Sequence, residues 1–188
     1  MKLLTVTCST RPNRQGPLIS DWFQGVAARH GGFEPELADL KVIGLPLFDE
    51  PAHPRMRQYE HDHTKTWSAL VDGADAFVFV MPEYNYAPPP SFVNAVDYLF
   101  HEWTHKVAGF VTYGGASGGL RAAQMAKQIL TTVKVMPIPE GVGIPMFPQY
   151  MAEGAFKGND ALEQGAIGML NELARWAAAL KGLRSGQV

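Results

Sequence analysis

Ala76-Phe77-Val78-Phe79-Val80-Met81, running into Pro82-Glu83-Tyr84-Asn85, is the stretch that decides the fold of this 188-residue chain. Its first six residues are apolar without a break. A run of that length and composition reads as a strand buried on both faces, as in a parallel sheet covered by helices. Pro82 fixes its own φ and restricts the residue before it, so the chain leaves the strand in a rigid turn. Three further prolines, Pro88, Pro89 and Pro90, separate this turn from a helix-like stretch, Ser91 to Glu102. Open α/β sheets bind ligands beyond the carboxyl ends of their strands, so the turn is a candidate binding element.

Strand-like and helix-like segments alternate outward from it. Leu3 to Cys8 reads as a first strand, and Leu18 to Arg29 as a helix with Ile19, Trp22, Phe23 and Val26 on one face. Phe33 to Leu40 is a weaker strand, and Trp67 to Val71 belongs to a second helix. Val107 to Tyr113 reads as the fourth strand, Leu120 to Val133 as the fourth helix and Val135 to Ile138 as a short fifth strand. Ala161 to Leu180 closes the chain as a long amphipathic helix. Alternation of this kind implies a parallel sheet with helices on both faces. Five strands and five helices predict one domain, residues 1–188, with a flavodoxin-like, doubly wound five-stranded sheet ordered 2-1-3-4-5. The loops after strands one, three and four then meet at one end of the sheet. Two segments, Lys41 to His63 and Gly141 to Asp160, are expected as long loops that serve as functional lids, interface elements or mobile segments.

Composition narrows the function classes. Apolar residues make up 46% of the chain and charged residues 18%, with a formal net charge of −2. That balance gives no electrostatic footprint for nucleic acid. No run approaches the ~20 apolar residues of a membrane span. The N-terminus lacks a signal-peptide pattern, and the single cysteine, Cys8, has no internal partner. A cytoplasmic protein is the expectation. Cys8 is expected as a small buried hydrophobe.

The loop after strand one, Ser9-Thr10-Arg11-Pro12-Asn13-Arg14-Gln15-Gly16, brings hydroxyls, two guanidiniums and backbone N–H groups to a helix N-terminus. That set suits a phosphate group, although a solvated, capped turn has the same composition. Neither G-x-G-x-x-G nor the G-x-x-x-x-G-K-[ST] loop is present. The loop after strand four, Tyr113-Gly114-Gly115-Ala116-Ser117-Gly118-Gly119, contains the letters of G-x-S-x-G. A hydrolase elbow needs an Asp and a His later in the chain, and the last histidine is His105. The His61-Asp62-His63 group, with His53 upstream, matches no common zinc spacing. No metal site and no dedicated catalytic side chain is expected; Glu83 is expected as a cofactor-loop or structural residue rather than an acid or base.

Together these loops resemble the NADPH-dependent FMN reductase family of flavodoxin-like proteins, which includes quinone, azo-dye and chromate reductases. Cys8-Ser9-Thr10-Arg11-Pro12-Asn13-Arg14 is similar to the family's G-S-x-R-x-x-R pattern, and Pro82 to Asn85 to its P-E-Y-N turn. Pro89, Asn94, Ala95 and Asp97 match the proline and N-A-x-D that follow. Tyr113 to Gly119 is similar to the family's glycine-rich loop, and Leu45 to Pro51 to its L-P-x-x-D-E-P segment. Cys8 replaces a usual glycine, Ala87 a common serine and Val93 a common lysine. The resemblance implies non-covalent FMN, with NADPH or NADH as co-substrate and a small-molecule electron acceptor. It implies a phosphate site at Ser9, Thr10, Arg11 and Arg14 with the backbone at Gly16, Pro17 and Leu18. The isoalloxazine is implied to lie against Pro82, Glu83, Tyr84 and Asn85 and against Tyr113, Gly114, Gly115 and Ser117. A homodimer or homotetramer is also implied. Tyr86, the proline run, Tyr98, Phe100 and Trp103 give the third helix more aromatic surface than one face of a sheet needs, so this helix and the Lys41 to His63 loop are expected at the interface. The competing class is a flavodoxin-type electron carrier, which needs a strongly acidic docking face; a flavin-binding regulatory protein is a third.

Overall fold

A computed structural model describes residues 1–186. Its central sheet has five parallel strands in the order β2-β1-β3-β4-β5. They are β1 (Lys2–Thr7), β2 (Glu34–Asp39), β3 (Ala76–Pro82), β4 (Val107–Tyr113) and β5 (Met136–Ile144). The helices are α1 (Gly16–His30), a single turn α2 (Leu40–Ile43), α3 (Asp62–Gly73), α4 (Pro90–Asp97), α5 (Leu120–Thr132) and α6 (Asp160–Arg184). A two-stranded ribbon, β6 (Met151–Ala152) and β7 (Ala155–Phe156), lies between β5 and α6.

The period of two along β3 explains the layers. Phe77, Phe79 and Met81 face one core with Trp67 and Val71 of α3, Phe92 and Val96 of α4 and Leu130 of α5. Ala76, Val78 and Val80 face the other, with Ile19 and Phe23 of α1 and Met169 and Leu173 of α6. Both faces are sealed, so β3 and β4 are buried along their whole lengths. Because β1 pairs with both β2 and β3, the chain reverses its direction of winding there. The loops leaving β1 and β3 therefore diverge to opposite faces and leave a crevice between them.

Three expectations change. The third helix ends at Asp97, not Glu102. Beyond it the chain breaks into turns that drive Tyr98, Leu99 and Trp103 into the core. Trp103 packs edge-on against Trp67 and Phe77, and the Tyr98 hydroxyl donates to Asp49 at 2.8 Å. Tyr98 and Trp103 are thus core residues and offer no free aromatic surface. β5 is longer than Val135 to Ile138 because an edge strand tolerates Pro137 and Pro139. The Lys41 to His63 segment is anchored rather than loose. The buried Glu50 carboxylate accepts the N–H groups of Glu60 and His61 at 2.8 and 3.1 Å. Glu102, also buried, accepts Tyr59, Ser68 and Arg57.

Candidate active site

The first loop leaves β1 at Cys8, whose N–H donates to the Val80 carbonyl at 2.9 Å and ties the strand end to β3. The Cys8 side chain joins the α3–α4–α5 core. Burial, helped by the Asp39 carboxylate, pushes its thiol well above the usual range. The cysteine that replaces the family's glycine is a packed hydrophobe. Ser9 is fully buried, and its Oγ has no hydrogen-bond partner. Above it, α1 begins at Gly16 with no side-chain cap, whereas α2 and α6 are capped by Asp39 and Asn159. An uncapped first turn beside an orphaned buried hydroxyl is a set of unspent donors. Gly16 is required there: a Cβ would lie 2.3 Å from Ser9 Oγ and 3.0 Å from the Tyr113 hydroxyl. Arg11 is exposed and, among the described residues, makes no ion pair. Thr10 is exposed on the α2–α4 side of the loop, and Pro17 and Leu18 are half-buried in the first turn of α1.

Arg14 is differently placed from Arg11. Its guanidinium forks onto both Asp39 oxygens at 2.5 Å and donates to the Ser9 carbonyl at 2.6 Å. It braces the loop against the end of β2 and has already satisfied its charge.

The second wall is the turn after β3. Tyr84 and Ala87 exchange both backbone hydrogen bonds at 2.9 Å, closing a two-residue hairpin with Asn85 and Tyr86 at its tip. Asn85 and Tyr86 have φ of 49° and 69°, as a two-residue hairpin turn demands. Glu83 donates its N–H to the Tyr113 carbonyl, so the turn follows the sheet's last rung. The Glu83 carboxylate crosses to the third wall, accepting Ser117 Oγ at 3.0 Å and Arg121 through its N–H and Nη1. Burial pushes this carboxyl up, but the bonds from Arg121 and Ser117 outweigh it and hold it below the usual range. Glu83 is an ionised tie between walls.

The third wall is the glycine-rich loop. Gly115 is exposed, and a Cβ there would meet nothing within 4 Å. Among the described residues, the N–H groups of Gly115 and Ala116 have no protein partner. Tyr113 is buried beneath the loop, where burial raises its phenol pKa, and stands edge-on to Phe147 at 5.2 Å.

These walls enclose a cleft of about 320 Å³. Arg11 and Arg14 line one end, Pro82, Glu83 and Tyr84 one side and Tyr113, Gly114 and Gly115 the floor. Asn85 sits at the exposed hairpin tip and Ser117 behind Glu83, so neither lines the cleft. Sequence reasoning missed Gln15, Met146, Phe147 and Pro148, which complete the lining. The last three sit in the segment expected as a functional loop. They join the site because Met146 and Phe147 donate backbone N–H groups to the Gly115 and Gly114 carbonyls. No group of His, Cys, Asp and Glu suited to a metal ion occurs among the described residues, and no helix is long and apolar enough to cross a membrane.

A cleft lined by Gly114 and Gly115, with two arginines and the uncapped start of α1 at one end, fits a planar ring bearing a phosphate tail. A family model for NADPH-dependent FMN reductases matches residues 1–149. An NAD(P)H-dependent FMN reductase of Schizosaccharomyces pombe is 39% identical over 140 residues, covering 73% of this chain and 70% of that protein. A quinone reductase of Escherichia coli is 32% identical over 141 residues, covering 68% and 73%. The flavoenzyme NAD(P)H:(acceptor) oxidoreductase of Paracoccus denitrificans shares the fold, with a TM-score of 0.75 over 95% of this chain and 97% of that one at 18% identity. With its diagnostic loops converging on one cleft, this chain belongs to the NADPH-dependent FMN reductase family.

Proposed function

We propose that the chain is an FMN-dependent NAD(P)H oxidoreductase that reduces a quinone, azo compound, free flavin or similar small acceptor, nicotinamide and acceptor visiting one cleft in turn. The observation that carries this reading is the uncapped start of α1, with the buried, unpartnered Ser9 Oγ beneath it, next to the cleft end lined by Arg11 and Arg14. Ser9, Arg11 and the N–H groups of Gly16 and Leu18 are the phosphate donors, whereas Thr10 turns to the α2–α4 side of the loop and lines a separate cavity. Arg14 and Pro17 shape the loop, Arg14 through Asp39. Pro82, Glu83 and Tyr84 form one wall for the ring, with Asn85 shaping the hairpin behind it, and Tyr113, Gly114 and Gly115 form the floor, with Ser117 securing Glu83.

Bound FMN would supply the hydride chemistry, leaving the protein to supply position and electrostatics. The free N–H groups of Gly115 and Ala116 would stabilise negative charge at a ring edge. Glu83 is held ionised and fully bonded, which suits a tie rather than a proton donor. The pairing of relatives' names with both nicotinamides supports NADPH or NADH as reductant. A single cytoplasmic domain acting as a homodimer or homotetramer completes the reading. Val42, Leu47, Phe48 and Met56, all exposed on the 41–61 segment, supply the apolar surface for self-association.

The test is a visible spectrum of purified protein incubated with FMN and desalted, then mixed anaerobically with NADPH or NADH. A yellow protein bleached by a nicotinamide and re-oxidised by a quinone is expected. A protein that stays colourless after incubation sinks the reading.

A further inference from the structure

We propose that Arg121, the second residue of α5, is a positioning residue that locks the two ring-facing walls together through Glu83 and orients Tyr86 as a stacking surface for planar acceptors. The inference rests on the flavin reading and deepens it.

Both oxygens of Glu83 are filled from the opposite wall. Arg121 Nη1 donates to Oε1 at 2.9 Å, and the Arg121 N–H and Ser117 Oγ donate to Oε2 at 3.1 and 3.0 Å. The Glu83 side chain is only 9% exposed, while the Arg121 side chain is 52% exposed, so the carboxylate is covered and the guanidinium reaches it from the rim. Charge-assisted bonds are stronger than neutral ones. The hairpin they anchor needs an anchor, because its two tip residues are non-glycine residues in the left-handed region. The same guanidinium lies 4.3 Å from the centroid of the Tyr86 ring. Tyr86 is 69% exposed, so the cation fixes an aromatic face that the core does not cover. That face is two residues from Tyr84, which lines the cleft. One side chain thus sets both the spacing of the walls and the presentation of the only large aromatic on the hairpin tip.

The experiment compares wild type with R121A, R121K, E83Q and Y86L. FMN affinity is read by fluorescence titration, bound flavin by its absorption spectrum, and turnover against a planar quinone by the split between kcat and KM. R121A and E83Q are expected to weaken FMN binding about tenfold, the loss of one charged tie, and to shift the flavin absorption bands. R121K, which keeps a cation opposite Glu83, is expected to recover most of that affinity. Y86L is expected to raise the quinone KM several-fold with kcat retained, since a stacking face contributes binding. E83Q is nearly isosteric and carries the test if R121A does not fold. Wild-type affinity and spectrum in R121A and E83Q overturn the lock, and an unchanged quinone KM in Y86L overturns the stacking role. A wild type that binds no FMN overturns the flavin reading itself, a result separable from both.

Discussion

Gly16 is where one atom decides the most. Its missing Cβ leaves room between Ser9 Oγ and the Tyr113 hydroxyl. An added methyl would collide with the orphaned Ser9 hydroxyl, which the proposed phosphate site uses. Gly16→Ala is therefore expected to lower FMN affinity at least tenfold in a fluorescence titration, with little change in the far-ultraviolet dichroism. Arg14 contrasts with it. The residue pattern of the loop suggests a second phosphate ligand, and the side chain is instead satisfied by Asp39. That partner was invisible in the local sequence because it is 25 residues away. The parallel pairing of β1 with β2, which sets Thr7 beside Asp39, brings the two loops together. Arg14→Ala leaves a half-buried carboxylate without its partner. It is expected to cost about 2 kcal/mol of stability, typical of a lost charged hydrogen bond, read as a lower urea midpoint.

At the scale of elements, the strands that are buried on both faces were the most legible. Val107 to Tyr113 is β4 residue for residue, and Ala76 to Met81 lacks only Pro82 of β3. Continuous apolar runs carry their own boundaries, because polar residues enter where the strand leaves the sheet. The third helix was misread at its end because Tyr98, Leu99 and Trp103 continue an apolar spacing while the backbone has already left the helix. Core contacts, not helical periodicity, placed those three side chains. The walls of the cleft were legible for the opposite reason: glycine and proline mark turns whatever the tertiary context. Pro148 carries that mark, which flags the segment as a loop, but Met146 and Phe147 do not, and nothing local says that the segment joins the site: β5 brings it to the glycine-rich loop. One strand position tests the packing directly. Gly109, in the middle of β4, faces α6, where a Cβ would lie 2.7 Å from Met169 Sδ. Gly109→Ala is expected to force the Met169 side chain into another rotamer against Leu173 and to cost about 1–3 kcal/mol, the usual range for overpacking. The loss would register as a lower melting temperature with the cleft's FMN affinity retained.

For the molecule as a whole, stability toward acid depends on how the 41–61 segment is strapped to the α3–α4 face. Two buried carboxylates do this. Glu50 accepts backbone N–H groups from residues 60 and 61, and Glu102 accepts Tyr59, Ser68 and Arg57. Burial pushes both carboxyls up. In each, the hydrogen bonds outweigh burial and hold the carboxyl below its usual value. A carboxyl lowered in the folded state releases its proton more readily there than in the unfolded chain. Its contribution is complete above the unfolded value, about 4.3, and fades as pH falls through the lower folded one. Urea midpoints measured between pH 7 and pH 3 should therefore be flat near neutrality and drop steeply below about pH 4.3. Glu102→Gln separates this strap from the remaining carboxylates. All three donors converge on Oε1, so the amide keeps an acceptor there but loses the charge and buries an unpartnered NH2 in place of Oε2, and about 1–3 kcal/mol should be lost at pH 7. The acid limb should also become shallower, because one of its titrating groups is gone. A Glu102→Gln protein with the wild-type midpoint at pH 7 and the wild-type acid limb would show that the strap is held by packing of Tyr59 and Pro54 rather than by the buried charge.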